Sequence, residues 1–576
     1  MIFFEKWRNL TDTNKVAIIL AFLALIYSVL SFGVLPRHVF FSPDEGDKII
    51  AAISAARRGD VWRLAYEYPG YDVDPEGTFF FTEWVRLIDG KPVPFHLSVL
   101  IFVNAPLYRL LGWNAFYVLP LLSGLGIIWL SYQLARLIEA PHPWVVPLIA
   151  GLCTPVFFFS LTTWDHMPTV FCSTLIVYLL TRQTRRFQWW EVSLAGAVIG
   201  LGLWMRFEMY LFTIAVGLAY IYVFWRQRMI WPGLMALAAG SAVVFAAMMV
   251  QQWAVYGTAE ILPLSVRAST IEIDRQGAAS MSEALRNVIL RQARVLLALT
   301  LDSPSVWLER VFLALAFVGV IVVNWFAKLQ RHSWLVVGSV LLQVAGTILA
   351  VIHRYIPETI VGLIPTLPLA SLGLVYASPT SHQDRPPQRM ALDLIATVSV
   401  SFFLFGLVLL PSFGGPSWGP RYLAPLFPLL AVLAWATRGR ASVLPNGWNK
   451  KAIYVAFGIV FVLSLAMQWV GVWFLYDYKQ TMVDWYDELR VLDVYYVLSD
   501  SHWFLRQVSN LYFDRCFCFL SSQQNYQTLV ERLARKGVDR FAWIAAADTQ
   551  YSPEFETSAF AVRHAKGAIY TIVPIN

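Results

Sequence analysis

Residues 42–47 read Ser-Pro-Asp-Glu-Gly-Asp, so two adjacent carboxylates, Asp44 and Glu45, stand a few residues beyond a long apolar run. A carboxylate held ionised at such an edge can take a proton from a hydroxyl group or help to hold a cation. The same residues make a good helix start, with Ser42 as cap, Pro43 first and acids in the first turn. The two readings are compatible, because a capping turn can present a carboxylate. Further charges interrupt apolar sequence at Trp164-Asp165-His166, Arg206-Phe207-Glu208, His353-Arg354-Tyr355 and Trp418-Gly419-Pro420-Arg421-Tyr422. Ionisable groups at membrane depth are costly and need a partner or a function. The planar guanidinium fork matches phosphate, and a carboxylate in its positive field stays ionised and can act as a base. Each arginine alone also fits an interfacial anchor or an ion pair, and Arg206 and Glu208 can pair with one another.

The elements that must position these residues follow from composition. Of 576 residues, 58% are hydrophobic and only 14% charged, and mean hydropathy is +0.57. That excludes a soluble enzyme, a disordered chain and a fibrous repeat, because so little charge cannot cover so much apolar surface. At roughly 20 apolar residues per membrane crossing, the sequence predicts a polytopic α-helical membrane protein with about thirteen transmembrane helices. They fall near 16–35, 115–135, 144–161, 165–181, 190–204, 207–225, 231–252, 305–326, 334–352, 358–377, 393–411, 422–437 and 452–474.

Sidedness comes from lysine and arginine in the short loops. With a cytoplasmic N-terminus, the cytoplasmic connections carry Lys6, Arg8 and Lys15, then Arg136, the 182–186 arginines, Arg226 and Arg228, Lys328 and Arg331, Arg385 and Arg389, and the basic stretch 438–451. The short outer connections carry Arg206, Arg354 and Arg421. The net charge of +7 thereby reads as topology, and no nucleic-acid role follows from it.

Three long polar segments, 36–114, 253–304 and 478–576, are expected on the outer side. In the first, Ile49, Ile50 and Ile53 form one stripe of a helix expected to lie on the membrane surface, and a second interfacial helix is expected near 97–111. Asp72, Asp74 and Glu76 are only loosely spaced like calcium ligands and are expected to be solvated loop acids. The last segment alternates strand-like and helix-like runs: Val491–Leu498, Ser501–Asn510, Arg515–Leu520, Tyr526–Lys536, Val538–Ala545 and Ala568–Val573. It reads as a small α/β domain. The division is therefore 1–477, transmembrane, and 478–576, extracytoplasmic. Cys516 and Cys518 are two apart on one strand face, where a disulfide would be strained.

This order of features resembles the GT-C glycosyltransferases that use polyprenyl-phosphate sugars, a group that includes protein O-mannosyltransferases and the aminoarabinose transferase of lipid A. The likeness runs to about residue 475. Ser42-Pro-Asp-Glu-Gly46, Asp74-Pro-Glu-Gly-Thr-Phe-Phe80 with Asp89-Gly-Lys, Gly200-Leu-Gly-Leu-Trp-Met-Arg206-Phe-Glu208 and Trp418-Gly-Pro-Arg-Tyr422 carry it. The resemblance implies an inverting transfer from a polyprenyl-phosphate sugar to a hydroxyl of a glycan, lipid or protein at the outer face of a membrane, of the bacterial inner-membrane type. It implies Asp44 as base, with Glu45 as helper or second ligand. Arg421 with Tyr422, Arg354 and Arg206 would bind the donor phosphate. Asp165, with His166 and Glu208, would form a second acidic position toward the acceptor. Some relatives use a divalent cation, and nothing in this sequence requires one. Pro94-Phe-His96 departs from the Tyr-Pro-Pro-like stretch of relatives, which puts a role for His96 in doubt. Two other classes stay open. A lipid or glycan transporter would show polar groups at mid-membrane and paired halves. A non-catalytic scaffold or receptor of the same fold would show no turnover.

Overall fold

The computed structural model describes residues 7–59, 64–82, 84–95, 98–225, 230–259, 341–348, 363–370, 386–409, 418–441, 447–545 and 552–575, with the single positions 283, 315 and 338. His96, Arg354, nearly all of the 253–304 loop and most of the spans expected at 305–326, 334–352 and 358–377 lie outside the described residues. Among the described residues, five helical stretches are long and apolar enough to cross a membrane: Asp12–Val34, Leu100–Leu137, Ile230–Tyr256, Pro387–Gly406 and Phe457–Val491. Shorter apolar helices include Trp189–Met205, Glu208–Phe224 and Leu426–Ala436. The chain is thus an integral membrane protein built on apolar helices.

By internal contacts the chain divides into two units. The first comprises Met1–Gly33, Tyr117–Met249 and Glu260–Phe474. The second comprises Val34–Phe116, Val250–Ala259 and Leu475–Asn576, so the first long loop and the C-terminal region share one unit.

Within the first unit, helix Glu208–Phe224 packs along Pro387–Leu409, and His166–Arg182 along Trp189–Met205. Apolar side chains gain little by leaving lipid for protein, so close backbone approach holds such helices together. The sequence supplies it as Gly196-x-x-x-Gly200 facing Gly240. A Cβ on Gly196 would lie 2.1 Å from the Leu237 carbonyl oxygen, and one on Gly240 would lie 2.0 Å from that of Ser193. Backbone cannot yield as a side chain can. Gly240→Leu is therefore expected to cost about 3 kcal/mol of stability by overpacking. Thermal unfolding in detergent measures it, and a loss below about 1 kcal/mol would mean the helices do not meet through this face.

One expected span, 144–161, is broken. Val146–Leu152 ends, and a second short helix, Val156–Ser160, starts after Pro155. Pro155 has no N–H to donate, and it restricts the residue before it, so the helix cannot run through. The last span runs further than expected. Gly447–Val491 is one helix of 45 residues, so Val491 closes a helix where a strand is expected. The strand waits until Tyr496. An amphipathic tail, Asp477–Val491, has helical periodicity and no breaker, and nothing local stops the turn.

The second unit has its own core. Helix Pro43–Arg58 is the central helix, packed on helix Leu100–Leu111, helix His502–Gln507 and the turn Ser509–Leu511. Ile49, Ile50 and Ile53 are 0–2% exposed, so the stripe expected to face lipid is covered by protein. A hairpin, β1 Val85–Ile88 with β2 Lys91–Pro94, precedes Leu100–Leu111. Beyond the long helix come β3 Tyr496–Ser499, β4 Cys516–Phe519, β5 Arg540–Ile544, β6 Phe555–Glu556, β7 Phe560–Lys566 and β8 Ile569–Pro574. The sheet order is β4-β3-β5-β8-β7-β6, with β3 parallel to β4 and β5 and the rest antiparallel. Helix Gln523–Arg535 buries Tyr526, Leu529, Val530 and Leu533, the 3.6-residue stripe its sequence displays. β6 and β7 have no clear signal in the sequence. β6 is only two residues long and β7 is half-polar, and pairing rather than pattern makes them strands.

Candidate functional site

The candidate residues fall into two groups, one in each unit. In the second unit, helix Pro43–Arg58 starts on a complete capping box. Ser42 Oγ accepts from the Asp44 amide at 3.3 Å. Glu45 Oε2 accepts from the amides of Phe41 (2.9 Å) and Ser42 (3.3 Å). Glu45 is buried, and Lys479, also buried, supplies its countercharge. Glu45 is therefore a structural carboxylate that closes the helix start. Glu45→Ala removes both the cap and the countercharge of buried Lys479, so it is expected to cost more than the roughly 1 kcal/mol of a cap alone, and Glu45→Gln, which keeps the cap, about 1 kcal/mol less than Glu45→Ala. Equal losses in thermal unfolding would show that the charge, not the cap, is what counts.

Asp44 stands differently. Its side chain is 35% exposed and takes a bond from Arg506 Nη2 at 3.1 Å. The same nitrogen reaches Asp47 Oδ2 at 2.5 Å. Arg506 is 2% exposed and lies with its guanidinium 5.8 Å from the Trp503 ring centroid. Burial pushes the Asp47 carboxyl up to about 6, against the pull of Arg506. Burial, aided by Arg506, drives His502 down to about 4, so this imidazole is neutral at pH 7. The backbone fixes the arrangement. The Phe40 amide donates to the Gln507 carbonyl at 3.1 Å, and Gln507 Nε2 donates to the Phe41 carbonyl (3.0 Å) and the Tyr478 hydroxyl (2.6 Å). A Cβ on Gly46 would sit 2.0 Å from the Arg506 carbonyl oxygen, so only glycine lets the helix approach this closely.

The second group lies in the first unit, where Arg206 is extended between helices Trp189–Met205 and Glu208–Phe224. Its Nη1 meets Asp165 Oδ1 at 2.7 Å, and its Nε bonds Glu208 Oε1. Asp165 and Glu208 are 3% and 1% exposed. His166 stacks on Phe159, with Nδ1 3.6 Å from Asp165 Oδ1, too long for a hydrogen bond. Gly419, at φ +79°, turns the chain ahead of Pro420 and sets Arg421 between the faces of Trp164 (4.9 Å) and Tyr422 (5.0 Å). Arg421 Nη2 donates to the Tyr422 hydroxyl at 3.2 Å, and Arg206 lies 5.8 Å from the same ring. Asp165, His166, Glu208, Arg206, Arg421 and Tyr422 are thus brought together. Arg206 is held by two carboxylates, whereas Arg421 is framed by aromatic rings.

The loop acids of the 71–81 stretch serve the fold. Asp74 is fully buried and accepts from the Tyr68 hydroxyl (2.9 Å) and the amides of Thr78 (3.0 Å) and Phe79 (2.7 Å). Asp72 accepts from Tyr496, and Glu76 pairs with Arg532. Among the described residues, no group of three or more His, Cys, Asp or Glu side chains is placed to share a metal ion. Cys516 and Cys518 are free thiols with sulfurs 3.7 Å apart.

Asp47, Lys479 and Arg506 join the site only through the fold. Asp47 carries a weak sequence signal, being one turn from Asp44. Arg506 carries none, since it lies 462 residues from its partner.

Comparison with solved structures identifies the fold as of the GT-C type. The chain is similar to the crystal structure of ArnT from Cupriavidus metallidurans bound to undecaprenyl phosphate, with a TM-score of 0.50 and 14% identity over 98% of each chain. It is also similar to the apo state of that protein (TM-score 0.49, 14% identity, 97% and 98% covered). A third similar structure is the Archaeoglobus fulgidus oligosaccharyltransferase tethered to an acceptor peptide (TM-score 0.38, 12% identity, 92% of this chain and 68% of that one). No protein-family model and no curated protein matches the sequence.

Proposed function

We propose that the protein is an inverting glycosyltransferase that moves a sugar from a polyprenyl-phosphate donor to a hydroxyl acceptor at the outer face of the membrane, with its N-terminus in the cytoplasm. The observation that carries this reading is Asp44, a partly exposed carboxylate in the first turn of the helix that follows the first apolar helix, held against a buried arginine. Its support in the fold is the likeness to ArnT, whose structure holds undecaprenyl phosphate. In this reading Asp44 accepts the proton of the acceptor hydroxyl as that oxygen bonds to the anomeric carbon. The bond from that carbon to the phosphate oxygen breaks, and the lipid phosphate leaves with the electron pair. Arg421 and Tyr422 bind the donor phosphate through a guanidinium and a phenol set side by side, and Arg354 is a third candidate. Such donors stabilise charge as it develops on the leaving phosphate. Arg206, tied to Asp165 and Glu208, acts through that network, and Asp165 with His166 forms the acceptor-side group. The partners in this reading are the membrane, the lipid donor and a glycan, lipid or protein hydroxyl.

The test is the full chain reconstituted in liposomes with a panel of polyprenyl-phosphate sugars and hydroxyl acceptors. The expected result is a glycosidic product of inverted anomeric configuration. No turnover with any donor of the panel would overturn the reading in favour of a scaffold, and a retained configuration would overturn the single-displacement chemistry.

A further inference from the structure

We propose that Arg506, from the helix between β3 and β4, is the positioning residue of Asp44: the C-terminal region orients the base and keeps it ionised. The proposal rests on the reading of Asp44 as the base. Its geometry is independent of that reading. One buried guanidinium nitrogen is shared by Asp47 Oδ2 at 2.5 Å and Asp44 Oδ1 at 3.1 Å. Asp47 is the more buried of the two, at 12% side-chain exposure against 35%. Asp47 thus anchors the guanidinium, and the remaining reach of the same nitrogen fixes the carboxylate that is open to a reactant. The contact is not a loose surface pair. The Phe40–Gln507 and Phe41–Gln507 bonds and the Gly46 approach lock helix Pro43–Arg58 to helix His502–Gln507 on both sides of the ion pair.

The charged and titratable groups around this pair come from several elements. Asp47 and Lys48 lie on the helix of Asp44, Arg506 and neutral His502 on the facing helix, and Tyr66 donates its hydroxyl to the Asp47 carbonyl at 3.4 Å. Glu45 and Lys479 compensate each other. Arg506 is therefore a cation bonded to Asp44, and Asp47 competes for it.

That competition makes the test two-signed. In the reconstituted transfer assay, Arg506→Met is expected to move the acid limb of the kcat/KM profile up by about one pH unit or more, since an adjacent cation depresses a carboxylate by that order. Asp47→Asn is expected to move the limb down, because it removes a neighbouring negative charge and leaves Arg506 to Asp44 alone. At neutral pH, Arg506→Met is expected to lose roughly ten- to a hundredfold in kcat with the donor KM little changed, the loss typical of a misplaced reacting group. Arg506→Lys is expected to restore the position of the limb and only part of kcat, since it keeps the charge without the fork. A residue that only held the fold would give no such opposite displacements. If both limbs move together or neither moves while Asp44→Asn is inactive, Arg506 is not the positioning residue and the base assignment stands. If Asp44→Asn transfers at full rate, the base assignment itself fails. Should Arg506→Met not fold, the downward shift of Asp47→Asn and the Lys variant decide the matter, and an unshifted Asp47→Asn profile overturns the proposal.

Discussion

Asp44→Asn is expected to lose roughly two to four orders of magnitude in kcat, the usual weight of a general base, while the KM for the lipid donor stays near its original value. The substitution is close to isosteric, so what it removes is basicity. The helix start survives it, because Ser42 and Glu45 make the capping box and neither is touched. Arg506 also keeps a carboxylate partner, Asp47 at 2.5 Å. The structural loss is therefore confined to one charge in the first helical turn, about 0.3–1 kcal/mol. Parallel measurements of transfer and of thermal unfolding separate the two quantities. A variant that transfers the sugar at the original rate would exclude Asp44 as base. A variant that is inactive but unfolded below the assay temperature would contradict the capping geometry.

Arg206→Met is expected to be the most destabilising single change among the candidate residues. Asp165 and Glu208 are both buried, and both take their bonds from this guanidinium. Removing the cation leaves two carboxylates without it in a low-dielectric surrounding, and breaking a buried pair in this way costs roughly 3–5 kcal/mol. The same argument predicts a rescue. Arg206→Met combined with Asp165→Asn and Glu208→Gln is expected to recover most of the loss, because the cost lies in the uncompensated charge rather than in the missing contact. Unfolding in detergent of the single and combined variants measures this coupling. A single variant within about 1 kcal/mol of the original would mean that the triad is solvated and weak.

The helix caps and the charged interruptions of apolar runs are legible in the amino-acid sequence. Ser42-Pro43-Asp44-Glu45 announces a helix start through atoms at most three residues apart, and the fold builds that start. The break at Arg206-Phe207-Glu208 shows as charge between two apolar runs, and the chain does bend there. The helix Gln523–Arg535 shows as a 3.6-residue stripe. Three expectations fail, two of them against local signals, Pro155 and the unbroken helical periodicity of 477–491, and the third, the isoleucine stripe, against the tertiary structure. The local pattern points Ile49, Ile50 and Ile53 at lipid, makes Val491–Leu498 a strand and makes 144–161 one span. An apolar stripe says that a face must be covered and does not say by what. In this protein a unit assembled from residues 34–116, 250–259 and 475–576 covers it.

The sequence by itself determined that the chain belongs in a membrane, where several of its described helices lie, and which few charges are too costly to be incidental. Those are consequences of hydrophobic transfer and of hydrogen bonds between near neighbours, which act along the chain. Only the tertiary structure decided what each of those charges does. Glu45 closes a cap, Arg206 is shared by two carboxylates, and Asp44 meets Arg506 across 462 residues. The energy of such pairs depends on distance and burial in the folded state, and the order of residues encodes neither.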